Sequence, residues 1–398
     1  MRKLLICCSI PLVAALLVSI LCACLGLPTP GSPSAAAAAT TLNPVTFRPS
    51  GSDGNADLDI QVDNQRPGRL RAYWGVVSTV DFDKKGYFHV RTDIGSVATG
   101  SLTMGNARRI NGNATSTDPV TPFDTLDWVH ETPSMAYDPV TKKWVVIYYS
   151  YPKQHPTSID ILGNALPQYS WIARKVIPNR TGISYSKPNL TKIPTKEDRV
   201  LCATACSGAL YNSTASWAQG TPQAVGTIDG VNYILYTEPG IIADAAGHIW
   251  MSITGMHNIG TMTSPDFVGD VLLFKSTNDG ASWTFIARTL NYTDATQVGA
   301  SYYSGSQLHV LGSNVYLDVS PALSSNGTYH GLVEFKYTSL SKGTVVRNGS
   351  YPRAYYSAND PSCPQVGSGG YFPPTGRHQM TIVCSGQQNH AFKVYEAN

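Results

Sequence analysis

The chain has 398 residues, 42% of them hydrophobic, and only 14% charged, against about 25% in an average globular protein. That hydrophobic share supports a core and excludes wholesale disorder. Basic and acidic residues nearly balance at a net charge of +3, and no dense Lys/Arg run follows Arg2 and Lys3, which argues against a nucleic-acid binder.

Met1-Arg2-Lys3 opens a stretch, residues 4–27, without a charge. This pattern is that of a secretory signal, and it is also long enough to span a bilayer, for which about 20 apolar residues suffice. Leu21-Cys22-Ala23-Cys24 resembles a bacterial lipobox with Cys24 as the lipidated residue, although Cys at its second position is atypical. Cleavage nearby and retention as an uncleaved anchor remain open. Residues 28–41 contain only Pro, Thr, Gly, Ser and Ala, the composition of a tether. Residues 42–398 are expected to form a single domain, exported to the outside or the cell surface and monomeric, meeting a membrane only through the N-terminal segment.

Four of the 8 cysteines fall in the targeting segment. The other four, Cys202, Cys206, Cys363 and Cys384, are an even set in an exported chain. Proximity favours Cys202–Cys206 and Cys363–Cys384 among the possible pairings.

No helical apolar period is sustained after residue 41. Short runs rich in Val, Ile, Tyr and Trp recur instead, punctuated by Gly, Asn, Asp and Pro, and these read as strands. In chain order, residues 73–81 and 86–92 pair around Asp83-Lys84-Lys85-Gly86. Glu131-Thr132-Pro133 leads to Asp138, and Trp144 opens a strand over 144–150, with a third over 170–176. Another pair turns at Asp229-Gly230. Glu238-Pro239 leads to Asp244, and Trp250 follows at the same interval as before. Strands over 270–275 and 283–288 complete a four-stranded meander over residues 238–288, about the size of one propeller blade. Residues 307–311 and 315–319 pair around Gly312-Ser313-Asn314, and 379–384 with 391–396 offer a last partial blade. The class is all-β, and the expected architecture is a propeller of five or six four-stranded antiparallel blades. A β-sandwich is the rival, and it gives no reason for repeated meanders.

Ser276-x-Asn278-x-Gly280-x-x-Trp283 resembles the Asp-box (BNR) motif of sialidase-like propellers, with Asn278 in place of the usual Asp. Physically it is a turn closed by a short polar side chain, with Gly280 at positive φ and Trp283 packed between sheets. The acid-Pro pairs followed by an Asp-led turn are similar to the blade starts of five-bladed arabinanase-like glycosidases. In those enzymes acidic residues at inner-strand starts cleave the glycosidic bond, and the resemblance implies Glu131 and Glu238 as candidate acid and base. The usual early Asp is not clearly placed, since Asp81 and Asp83 read as turn residues. The N-terminal Phe/Tyr-Arg-Ile-Pro signature of sialidases is absent; Phe47-Arg48-Pro49-Ser50 does not match it.

Around this pair, His130 is a candidate for tuning Glu131 or for contacting sugar hydroxyls. Trp128, with Asp124 and Asp127, forms a polar-aromatic segment suited to a channel rim. Tyr302 and Tyr303 are candidates for stacking on sugar faces. Arg377 and His378 are expected to reach the same mouth, Arg377 with two hydrogen bonds for a carboxylated sugar. No nucleophile elbow, His-Glu-x-x-His, phosphate loop or dinucleotide fingerprint occurs. The histidines lack metal-ligand spacing, so no metal site or cofactor is expected, and a structural Ca²⁺ is possible without being indicated. The expected function is cleavage of a polysaccharide or glycan, with a non-catalytic glycan- or protein-binding propeller or a polysaccharide lyase as the alternatives.

Overall fold

The computed structural model describes residues 41–48, 54–62, 71–82, 88–111, 114–116, 126–153, 170–203, 217–261, 263–324, 328–384 and 392–397. They form a ring of five antiparallel blades, which settles the blade number and excludes the sandwich. Blade 1 comprises Asn55–Val62, Arg71–Phe82, Phe88–Ala98 and Thr103–Asn111. Blade 2 comprises Leu126–Asp138, Lys143–Lys153, Trp171–Pro178 and Glu197–Cys202. Blade 3 is the expected meander, observed as Leu235–Ala243, Ile249–Asn258, Phe267–Ser276 and Thr284–Leu290. Blade 4 uses Tyr302–Leu311, Asn314–Ala322, Leu332–Ser339 and Ala354–Ala358. The pair around Asp229-Gly230 is a small separate hairpin.

Blade 5 explains why the tail reads as incomplete. Gln365–Phe372, Arg377–Val383 and Lys393–Ala397 supply three strands, and the fourth is Leu42–Pro44 from the other end of the chain. Leu42 pairs with Ala397, so the ring is closed by joining both ends of the domain. The Cys363–Cys384 disulfide ties the approach to this blade's inner strand to the end of its second strand. Cys202 is also disulfide-bonded, whereas Cys206 lies outside the described residues.

The repeated tryptophans fill the seams between blades, where twisted sheets leave wide gaps. Trp144 is fully buried against Tyr73 of blade 1, with ring centroids 5.0 Å apart. Trp250 packs in the cluster that holds Tyr303 and Leu308 of blade 4. Trp283 ends the Asp-box turn in the core shared with blade 2. In that turn Ser276 Oγ accepts from the Gly280 amide, and Asn278 Oδ1 accepts from the Ser282 amide. Gly280 has φ 77°, as the motif requires.

Near the axis the inner strands come too close for large side chains. A Cβ on Gly240 would lie 2.5 Å from the Ser306 carbonyl oxygen. Polar side chains stitch the inner strands together instead. Asp59 accepts from the Ser134 hydroxyl and the Met135 amide, each at 3.0 Å, and Ser134 Oγ in turn accepts from the Ile241 amide. Gln307 and Gln379 both donate to the Leu58 carbonyl. Burial raises the Asp59 pKa to about 7 against these hydrogen bonds.

Candidate functional site

All five inner strands break register at the same level: between Ala56 and Asp59, Glu131 and Ser134, Thr237 and Gly240, Ser304 and Gln307, and Gly367 and Gly370. Each break places one residue in the left-handed region: Asp57 (φ 54°), Thr132 (49°), Glu238 (56°), Gly305 (62°) and Ser368 (49°). Four of the five carry a side chain, which makes the conformation costly, most of all for β-branched Thr132. The ring of bulges turns these residues into the central channel, where together they line one narrow opening. Its free space is about 10 Å³, room for roughly one water.

Two of the five are acids. Asp57 is half-buried, receives the Ser368 hydroxyl, and has its backbone N–H donated to Thr381 Oγ1 at 3.1 Å. Burial is the largest influence on its carboxyl and raises it. The Ser368 and Thr132 hydrogen bonds lower it, the negative charge of Glu238 raises it further, and the outcome is a pKa of about 7. Glu238 is held by three donors: the Gly305 amide at 2.7 Å and the hydroxyls of Ser304 and Tyr329.

Glu131 takes a different position. It precedes the bulge residue Thr132, pairs with Tyr149, and accepts from Tyr151 at 3.2 Å. After burial, the charges of Glu131 and Asp57 both push the Tyr151 hydroxyl well above its ordinary pKa, so the three groups are neighbours.

The remaining predicted residues divide sharply. His130 is turned away from the channel and buried against Tyr148 and Trp217, with Nδ1 3.0 Å from Ser150 Oγ. Burial, helped by Lys175, lowers its pKa to about 3, so it is a neutral packing group. Trp128 lies on the inner strand of blade 2, but its side chain is outside the described residues. Tyr302 and Tyr303 lie within their strand instead of preceding it, and both are buried. Tyr302 is close enough for the Glu238 charge to raise its hydroxyl, after burial, whereas Tyr303 packs on Phe335 in a seam. Arg377 and His378 do not reach this mouth. They begin the second strand of blade 5, opposite Phe372 and Tyr371, at the hairpin end beyond the bulge. Arg377 bonds Glu396 at 3.3 Å there.

Sequence reasoning missed Asp57, Ser368, Gly305, Tyr329 and Tyr151. For Asp57 a signal existed: Asp57, Asp59 and Gln61 alternate with Leu58, Ile60 and Val62, the pattern of a strand with one polar face.

No protein-family model and no curated protein matches the sequence. Among solved structures the chain is similar to an α-L-arabinanase of Cellvibrio cellulosa complexed with arabinohexaose. The two are 14% identical over 87% of this chain and 91% of that one, with a TM-score of 0.43. A Bacillus subtilis arabinanase gives 13% identity over 86% and 93%, with a TM-score of 0.43. A Hadza microbial sialidase gives 13% over 86% of this chain and 56% of that one, with a TM-score of 0.39.

Proposed function

We propose that the chain is an exported glycoside hydrolase acting on a polysaccharide or glycan, with Asp57 and Glu238 as its carboxylate pair. The observation that carries this reading is the pair itself: two acids on equivalent strained bulges, facing one opening, with the Asp57 carboxyl raised to a pKa of about 7 by burial and by the Glu238 charge. Asp57, with a pKa near 7, is about half protonated at neutrality and serves as the general acid that protonates the leaving glycosidic oxygen. Glu238, oriented by its three donors, activates water or attacks the anomeric carbon. The sugar lies above the ring, because the opening itself admits no more than a water. Glu131 and the Tyr151 hydroxyl stand at the rim as contacts for sugar hydroxyls. Export rests on residues 1–27, and the Cys363–Cys384 disulfide is in keeping with an oxidising compartment.

The test is turnover across a panel of neutral and acidic polysaccharides and oligosaccharides by the wild type, Asp57→Asn and Glu238→Gln. The reading expects release of reducing ends that either substitution lowers by about 10²–10⁴-fold. Retained turnover in both variants would overturn it. Glycan binding without cleavage would replace it with a binding propeller. Unsaturated products would replace it with a lyase.

A further inference from the structure

Asn-x-Ser/Thr, the acceptor triplet for N-linked glycans in exported proteins, occurs seven times, at Asn113, Asn179, Asn189, Asn212, Asn291, Asn326 and Asn348. Asn113, Asn212 and Asn326 lie outside the described residues. A glycan is bulky and hydrated, so the asparagine that carries one must turn its amide nitrogen to open solvent.

Three of the other four are tied into the fold. Asn179 is half-buried, with Nδ2 donating to the Tyr185 carbonyl at 3.2 Å and Oδ1 accepting from the Lys187 amide at 2.5 Å. Asn189 is half-buried, and its Oδ1 accepts from the Thr191 hydroxyl at 2.8 Å. Asn291 caps the 3-10 segment Tyr292–Val298, its Oδ1 accepting from the Asp294 amide at 3.2 Å while its own N–H donates to Asp294 Oδ2.

Asn348 differs. It is exposed, and among the described residues no group bonds its side chain. It sits on a small hairpin that pairs Arg347–Asn348 with Tyr351–Pro352 and turns through Gly349, at φ 64°, and Ser350. A Cβ on Gly349 would meet nothing within 4 Å, so the space about the turn is open. The hairpin itself is anchored. Arg347 bonds both oxygens of Asp294, at 2.9 and 3.0 Å, and the Ser350 carbonyl at 2.6 Å, while Gln297 donates to the Pro352 carbonyl at 3.1 Å. Tyr351 stands directly opposite Asn348 and is 44% exposed. Opposed residues of a hairpin share one face with their Cβ atoms about 5 Å apart, so a ring there lies beside the first sugar on the asparagine. The C–H face of a sugar packs on such a ring and covers its apolar surface.

We propose that Asn348 is an N-glycosylation site, with an N-acetylhexosamine as its first sugar packed on the Tyr351 ring. The inference rests on the export half of the proposed function, and it takes residues 1–27 as a signal for a secretory route that holds lipid-linked oligosaccharide pyrophosphates. In the transfer Asn348 Nδ2 bonds the anomeric carbon of the donor. The bond from that carbon to the pyrophosphate oxygen breaks, the lipid pyrophosphate leaves with the electron pair, and Nδ2 gives up one proton. Ser350 supplies the hydroxyl of the triplet.

The test expresses the full chain in a eukaryotic secretory host and reads secretion and glycan separately. Secreted protein is expected to carry a glycan on the peptide containing Asn348, seen as an intact glycopeptide mass, and none on the peptide containing Asn179. Asn348→Gln should lower the mass of the intact chain by one glycan, and Asn179→Gln should leave the glycan mass unchanged. Enzymatic removal of the Asn348 glycan should lower Tm in the wild type and leave it unshifted in Tyr351→Ala. A chain retained in the host cytosol contradicts export and not the site; the same glycopeptide is then read with residues 1–27 replaced by the host's own signal. An unmodified Asn348 in secreted protein overturns the proposal. An equal Tm shift in Tyr351→Ala overturns the packing of the sugar on that ring.

Discussion

Blades 2 and 3 differ by a transposition. Blade 2 reads Glu131-Thr132-Pro133 and blade 3 reads Thr237-Glu238-Pro239. The prolines occupy equivalent places, so the residue before each is the one thrown into the left-handed bulge. In blade 3 that residue is the acid, which faces the channel and Asp57. In blade 2 it is threonine, and the acid one step earlier accepts from the Tyr151 hydroxyl outside the lining of that opening. Side chains on a strand alternate, so exchanging two neighbours decides which blade contributes a carboxyl to the axis.

Substitutions in the two blades should therefore differ by orders of magnitude. Glu238→Gln is expected to lower kcat by about 10²–10⁴-fold and Glu131→Gln by less than about tenfold, measured on the substrate the panel identifies. Equal effects would erase the distinction.

Proton affinity sharpens the same comparison. Because the Glu238 charge raises Asp57, Glu238→Gln should lower the Asp57 pKa from about 7, as read by carboxyl-carbon NMR. Moving an acid onto the blade 2 bulge, by Glu131→Thr with Thr132→Glu, should raise it. If Asp57 serves as general acid, kcat/KM of the unaltered chain should fall as pH rises through about 7, where Asp57 loses its proton.

Stability should follow with a defined sign. The folded pKa of Asp57 is about 7, above its unfolded value of about 3.9. Its contribution is thus fully present below about pH 3.9 and is lost as pH rises through about 7. Asp57→Asn should melt above the wild type at pH 8, and the gap should close towards pH 5. A variant less stable than wild type at pH 8 would contradict the burial of that charge.

The smallest effects belong to the turns. Asp244 accepts from the Ala246 and His248 amides and from Trp250 Nε1, so Asp244→Ala should cost about 1.5–3 kcal/mol in denaturant melts. Lys143→Ala breaks a largely exposed contact to Asp279 and should cost at most about 1 kcal/mol.

What the sequence discloses is what local chemistry encodes. The meander of blade 3, the Asp-box turn and the seam tryptophans each follow from spacings within one blade, and each is present. The remainder depends on long-range geometry. Blade 5 borrows its fourth strand from residues 42–44, which nothing near residue 397 announces. The bulges place Asp, Thr, Glu and Ser at positive φ, a conformation that these residue types do not signal, so Glu131 aligned with Glu238 and Thr132 passed unnoticed.

The joining of Leu42–Pro44 to Lys393–Ala397 limits how far the N-terminal side of the chain could be trimmed without opening the ring. A protease cutting upstream of residue 42 leaves the clasp whole. One cutting after Phe47 removes the last strand of blade 5 and unfastens the circle, so a shift of only a few residues in the cut separates a closed propeller from an open one.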